Sequence, residues 1–279
     1  MQIFEKIKDL QAFLVKESAA GSSIGFVPTM GALHAGHISL VKESKKECDV
    51  VVSSVFVNPT QFNDKKDLER YPRTLELDTK MLAEAGCDVL FAPSVEEMYP
   101  QTDTRIFDFG FLDHTLDGAF RPGHFNGVAQ IVSKLFEAVK PDKAFFGQKD
   151  FQQVLIVKEL VKQLKLTIEI VPCPILREPD GLAMSSRNTL LNSEERKQAS
   201  NIPVWMKEAK QLFNGKNAEE VKKIITDKVN ATPLFKLDYF EIRNADNLRE
   251  YNSETDKHAV ALFAAFCGRI RLIDNEVLS

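Results

Sequence analysis

The sequence predicts an α/β protein: a doubly wound parallel sheet followed by a smaller C-terminal α+β domain. Three observations carry this. Short apolar runs alternate with helix-period segments as far as residue 171, the signature of βαβ units. The run 49–57 is almost unbroken in β-branched residues, as a strand buried on both faces of a parallel sheet must be. Past residue 175 the order changes to helices and then strands.

Element by element, Ile3, Ile7, Leu10 and Leu14 recur at helical spacing and predict an opening amphipathic helix. A strand at 23–28 leads through a turn at Gly31 into a helix at 35–46. After strand 49–57 come a helix at 74–85 and a strand at 88–92. Val128, Ile131, Val132, Leu135 and Val139 mark a helix that stops at Pro141. Strand 143–146, helix 151–164 and strand 167–171 complete the first domain. Pro172, Pro174, Pro179 and Gly181 punctuate 171–187 as a loop or hinge. The boundary therefore falls at 175–188, giving domains 1–175 and 176–279. In the second, helical stretches at 193–213 and 218–230 precede strands at 236–243, 258–266 and 269–274.

At 279 residues the chain is long enough for two such domains without staples. Its 36 basic against 40 acidic residues leave a charge of −4 and a pI of about 5.8, a poor match to a dedicated nucleic-acid binder. Cys48, Cys87, Cys173 and Cys267 show no C-x-x-C spacing and are expected to be free thiols in a reducing compartment. Charges run through the N-terminal segment, and the longest apolar run is far short of a membrane span. The expectation is a soluble cytoplasmic protein with no membrane partner.

Five segments carry chemistry. In 26–37, FVPTMGALHAGH, a strand enters a glycine turn and then a helix start, placing unpaired backbone N–H groups and a positive helix end where a phosphate fits. His34 and His37, three apart, share a face of the first turn and can donate to phosphate oxygens, or can be surface histidines. In 178–188, EPDGLAMSSRN, Ser185, Ser186 and Arg187 offer two hydroxyls and a guanidinium fork for phosphate, or an N-cap pair and a solvated cation. In 146–150, FGQKD, Gly147 permits close backbone approach and Lys149 supplies a point charge. Asp150 suits a helix N-cap, and Lys149 could equally be an exposed lysine. In 56–62, FVNPTQF, Asn58 and Gln61 could recognise a hydroxyl or carboxylate, or form a polar turn. In 117–127, DGAFRPGHFNG, Arg121 and His124 could shape an active-site loop. Glu76 and Asp78 could help hold magnesium or be solvated helix charges. Neither a Walker A loop, nor G-x-G-x-x-G, nor H-E-x-x-H occurs.

PTMGALHAGH, FVNPTQF, YPRT, RPGHF, FGQKD, DGLAMSSRN and RLIDN occur in order across residues 26–275. Together they resemble pantothenate synthetases (pantoate–β-alanine ligases), within the Rossmann-like nucleotidylyltransferases that carry HIGH and KMSKS-type motifs. HAGH stands for the first motif and MSSR for the second. The resemblance implies condensation of pantoate with β-alanine through a pantoyl adenylate, consuming ATP and releasing AMP and pyrophosphate. It implies ATP contacts from Met30, Gly31, Ala32, Leu33, His34, Ala35, Gly36 and His37, from Gly147, Gln148, Lys149 and Asp150, and from Leu176, Met184, Ser185, Ser186 and Arg187. His34, His37, Lys149 and Arg187 would be catalytic, Gln61 would contact pantoate and β-alanine, and Gln153 would contact pantoate. Asp78 would help hold Mg2+, although Leu77 beside it cannot. Asp117 stands where the family often has Glu. A homodimer, with the C-terminal domain closing over the site, is also implied. The rival readings are another adenylyltransferase, which would not need FVNPTQF or Gln153; a class I synthetase, which would need a basic tRNA-binding surface; and a nucleotide sensor, which would not need His34, His37, Lys149 and Arg187 together.

Overall fold

The structure, a computed structural model, describes residues 1–61, 68–69 and 71–278. Its chain forms two compact units, Met1–Gln148 with Ile156–Pro174 and Lys149–Leu155 with Ile175–Ser279.

The first unit is built on six strands: β1 (Gln2–Phe4), β2 (Ile24–Thr29), β3 (Val50–Val55), β4 (Val89–Phe91), β5 (Lys143–Gly147) and β6 (Glu169–Cys173). Every pairing is parallel, in the order β1-β4-β3-β2-β5-β6. The crossovers include α1 (Ile7–Ala19), α2 (Ala35–Glu47), α3 (Leu75–Glu84), α4 (His124–Val139) and α5 (Phe151–Gln163). Val27, Val51, Leu82, Leu90 and Phe145 fill a core between strands and helices. Gly25 lets α2 lie close on β2, because a Cβ there would run into the Ser44 hydroxyl and stand 3.0 Å from Cys48.

Two boundaries differ from expectation. Ile3 is not helical: it lies in β1, paired with Leu90, and the helix starts at Ile7. Lys6 offers that helix no side-chain cap; instead Glu97, 90 residues away, accepts from the Ile7 N–H at 2.9 Å and pairs with the Lys6 ammonium at 3.0 Å. Strand β6 begins at Glu169 and runs through Pro172 to Cys173. Proline is tolerated because β6 is an edge strand and owes no N–H on its outer side.

The second unit carries an antiparallel sheet of β7 (Phe235–Asn244), β8 (Ala259–Cys267) and β9 (Ile270–Val277), in that order. With it go α6 (Ser193–Ala199), α7 (Asn201–Phe213) and α8 (Ala218–Asn230). Trp205, Ile225, Phe240 and Phe263 belong to their common core. The stretch expected to be continuous over 193–213 breaks at Ser200, since Pro203 has no N–H to extend the ladder backward. β9 continues past Asp274 to Val277. Lys149–Leu155, assigned above to the first domain, cluster with this unit. All four cysteines are buried and unpaired, and burial pushes the Cys87, Cys173 and Cys267 thiols up to about 11. Among the described residues no helix is long and apolar enough to cross a membrane.

Candidate active site

β2 is the topological switch point of the sheet: the chain winds from it to β3 on one side and later returns as β5 on the other. In open α/β sheets the crevice at such a point, beyond the strand carboxyl ends, receives ligands. β2 ends at Thr29, whose hydroxyl donates to the Ser54 carbonyl at 2.6 Å and accepts from the Gly31 N–H at 3.2 Å. Gly31 and Ala32 then take successive left-handed conformations, φ 79° and 50°. A Cβ on Gly31 would stand 3.0 Å from both the Asp78 carboxylate and a Val55 methyl, so glycine is required.

Asp78 organises this turn. Its side chain accepts from the Ala32 and Leu33 N–H groups at 3.0 and 2.8 Å, and from the Thr74 hydroxyl at 3.2 Å. The residue is 0% exposed, which overturns the reading of a solvated helix charge, while Glu76 is exposed. With both oxygens committed to the turn, Asp78 does not fit the magnesium ligand that the resemblance implies. Among the described residues no group of three or more His, Cys, Asp or Glu side chains gathers to hold a metal.

The histidines close the turn onto α2. His34 is the N-cap, its Nδ1 accepting from the Gly36 N–H at 3.1 Å; His37 Nδ1 accepts from the His34 N–H at 3.3 Å. The two rings lie 4.1 Å apart. A neutral imidazole that accepts at Nδ1 carries its proton on Nε2. The expected cradle of unpaired N–H groups is therefore not what forms: those of Gly31, Ala32, Leu33, His34, Gly36 and His37 are all bonded within the protein. This segment offers imidazole N–H groups in their place.

Beyond β3, the turn Pro59–Gln61 presents Gln61, half-buried, its Nε2 donating to the Met30 sulfur at 3.0 Å. Of the two readings of Asn58, recognition amide and polar turn, the turn is the one that forms. Asn58 is 1% exposed, donates to Gln61 Oε1 and the Gly127 carbonyl, and accepts from the Tyr99 and Thr60 hydroxyls. Those four bonds exhaust an amide. His124, buried at the start of α4, bridges the Gln61 carbonyl and the Arg121 guanidinium, each at 3.0 Å. Arg121 donates, so His124 Nε2 accepts and Nδ1–H donates to the carbonyl. Gly127 lets the helix touch this turn: a Cβ would meet the Thr60 carbonyl oxygen and come within 2.8 Å of Gln61 Cα. Phe62, the last residue of FVNPTQF, lies outside the described residues.

Gly147 ends β5, and Gln148–Asp150 form one 3-10 turn ahead of α5, which carries a half-buried Gln153. In the second unit Lys149 is half-buried and Asp150 exposed. The Asn275 side chain donates to the Lys149 carbonyl at 2.9 Å. Within 171–187, expected as a loop or hinge, residues 176–184 form a tight hairpin. Met184 N–H bonds the Leu176 carbonyl at 3.0 Å, and Arg177 bridges to Ala183 around the Pro179–Gly181 turn. Ser185 caps the 3-10 helix Ser186–Leu190 by accepting from the Arg187 N–H, so the capping reading holds for Ser185. Asn188 donates to Glu178 and the Ala183 carbonyl, and Arg196 pairs with Glu178 at 2.5 Å and Asp180 at 2.6 Å. Arg177 forks onto Asp274 at 2.7 and 3.0 Å. Sequence reasoning missed Asp78 as an anchor, together with Asp274 and Asn275. For the latter pair a signal existed: two adjacent polar residues directly after Leu272 and Ile273 in the last strand.

A family model described as pantoate-beta-alanine ligase matches residues 2–277. A pantothenate synthetase of Bacteroides thetaiotaomicron is 52% identical over 276 residues, covering 99% of this chain and 98% of its own. One from Bacteroides fragilis is 53% identical with the same coverage. A crystal structure of the Thermus thermophilus pantothenate synthetase superposes with a TM-score of 0.92 at 42% identity, covering 99% of both chains. A pantoate-beta-alanine ligase from Francisella tularensis, complexed with beta-gamma ATP and beta-alanine, does so at 0.80 and 37%, covering 100% of this chain and 98% of that one.

Proposed function

The chain belongs to the pantoate-beta-alanine ligase family, and from that premise we propose how its own residues divide the work. The reaction joins ATP, pantoate and β-alanine into pantothenate, AMP and pyrophosphate by way of pantoyl adenylate. In the first half the pantoate carboxylate attacks the α-phosphorus; in the second the β-alanine amine attacks the acyl carbon and AMP leaves. Neither half needs a covalent bond to the protein. The requirements are in-line geometry and neutralisation of phosphate charge.

The observation that carries the assignment is the backbone N–H accepted at Nδ1 by each of the two histidines. That bond puts the imidazole proton on Nε2, the nitrogen assigned to the phosphate oxygens where charge develops. Met30 to His37 border ATP. Lys149 and Arg187 neutralise the triphosphate, assisted by Ser185 and Ser186. Gly147, Gln148, Asp150, Leu176 and Met184 hold the nucleotide. Gln61 binds pantoate and then β-alanine, and Gln153 binds pantoate. Because Asp78 is committed to the turn, it is assigned no magnesium, and the ion would come bound to ATP.

The test is exchange of labelled pyrophosphate into ATP. Exchange that requires pantoate supports the assigned first half-reaction; a protein that binds ATP yet shows no exchange overturns it. A homodimer and a cytoplasmic location belong to the same proposal. Buried, unpaired cysteines fit a reducing compartment. Sedimentation should give twice 31.4 kDa. The 175–188 segment is taken as the hinge, and its amides should gain protection from hydrogen exchange when ATP binds.

A further inference from the structure

The RLIDN segment near the chain's end takes no part in the chemistry assigned above, yet it holds two of the most buried polar side chains in the second unit. Asp274 is 2% and Asn275 3% exposed, within β9. Burying such groups is costly unless they are hydrogen-bonded and, for the carboxylate, paired, so the partners chosen show what the pair is for. The Asn275 amide donates to the main-chain carbonyl of Lys149 at 2.9 Å. Asp274 receives the Arg177 fork at 2.7 and 3.0 Å and the Asn275 N–H at 2.8 Å. Arg177 in turn donates to the Gly181 carbonyl at 3.0 Å, holding the hairpin that leads into Ser185–Arg187. Neighbours on an extended strand send their side chains to opposite faces, which lets one dipeptide serve two loops.

We propose that Asp274–Asn275 is the positioning element of the phosphate-binding half of the site, with Asn275 fixing Lys149 and Asp274, through Arg177, fixing the segment that carries Arg187. Neither residue touches substrate. Both set where cationic groups stand, and a displacement of about 1 Å at a reacting centre can cost roughly 100-fold in rate. The inference rests on the assignment of Lys149 to the triphosphate.

The experiment is a double-mutant cycle on the full-length enzyme, read by pantoate-dependent pyrophosphate exchange and by ATP binding. Asn275→Ala should lower the exchange rate about 10- to 100-fold while the protein stays folded at the assay temperature, with a lowered melting point, and pantoate binding stays near that of the parent. Lys149→Ala should be slower still, and Asn275→Ala added to it should cost nothing further, because a residue acting through Lys149 has no target once the ammonium is gone. Losses that multiply in the double variant, or an exchange rate within twofold of the parent for Asn275→Ala, overturn the positioning role while leaving Lys149 in place. Full activity of Lys149→Ala overturns the assignment itself, and the proposal with it. Asn275→Asp, isosteric but unable to donate, replaces Asn275→Ala if the latter fails to fold. Failure of both to fold assigns Asn275 to stability alone and overturns the proposal.

Discussion

Asp78 in the first unit and Asp274 in the second are both buried carboxylates lying under segments assigned to ATP, and they are satisfied in opposite ways. Asp78 is held by neutral donors, two backbone N–H groups and a hydroxyl. Asp274 is held by a guanidinium and one N–H. The difference is in what each anchored segment presents. The Gly31–His37 turn presents neutral imidazole N–H groups, and a cation beneath it would set a fixed charge behind neutral donors. The hairpin at 176–184 leads to Arg187, and its own anchor is a cation tied off by a carboxylate. One unit therefore positions dipoles with a bare carboxylate, and the other positions charge with an ion pair.

Breaking the ion pair should have the largest effect. Arg177→Met leaves Asp274 buried without its partner and should cost about 3–5 kcal/mol in urea unfolding at neutral pH. Adding Asp274→Leu should restore much of that, since two apolar groups replace two charges. Burial pushes the Asp274 carboxyl up, and Arg177 pulls it down. Without Arg177 it rises further, and a carboxyl raised in the folded state gives stability at low pH that is lost as the pH climbs through the folded value. The deficit of Arg177→Met should therefore shrink in acid and grow toward neutrality. A deficit independent of pH would mean that Asp274 is not its source.

Asp78→Ala comes next, at about 2–4 kcal/mol, for two N–H groups stranded at roughly 1–3 kcal/mol each. Here no second substitution should rescue, because the donors belong to the main chain. Recovery by any partner change at Thr74 would break the contrast. The smallest effect belongs to Asp103, an aspartate that, like Asp274, is tied to an arginine, but one reaching solvent. The hydrogen-bonded Arg105 holds its carboxyl down at about 2, and the arginine side chain is 38% exposed. Its contribution is complete above the ordinary carboxylate range and fades as pH falls through about 2. Asp103→Asn should thus lose about 1 kcal/mol at pH 7 and show a flatter acid limb, measured by thermal melts from pH 5 to 2.

The parallel sheet was legible because 49–57 is too apolar for a half-exposed strand and because each β-run is followed by helical spacing. The HAGH turn was legible for its glycine and its two histidines. What the sequence hid are bonds between distant positions. Nothing local says that the helix start at Ile7 is capped by Glu97, or that Asp78, on the first turn of α3, reaches back to Ala32 and Leu33. The expectation of free N–H groups at Gly31–His37 failed partly for the same reason, through the distant Asp78, and partly because Thr29 and the two histidines accept from neighbouring N–H groups. Local pattern did predict the start of α7 poorly, because Pro203 interrupts a helix whose apolar spacing continues.

The borrowed cap of α1 bears on how the chain folds as it is made. Glu97 leaves the ribosome roughly 5–18 s after Ile7 at about 5–20 residues per second. β1 waits equally long for β4. Through that interval the first helix has an open N-terminus and the first strand has no neighbour, so the nascent N-terminal segment exposes Leu10 and Leu14, both buried in the finished molecule, to whatever holds unfolded chains in solution.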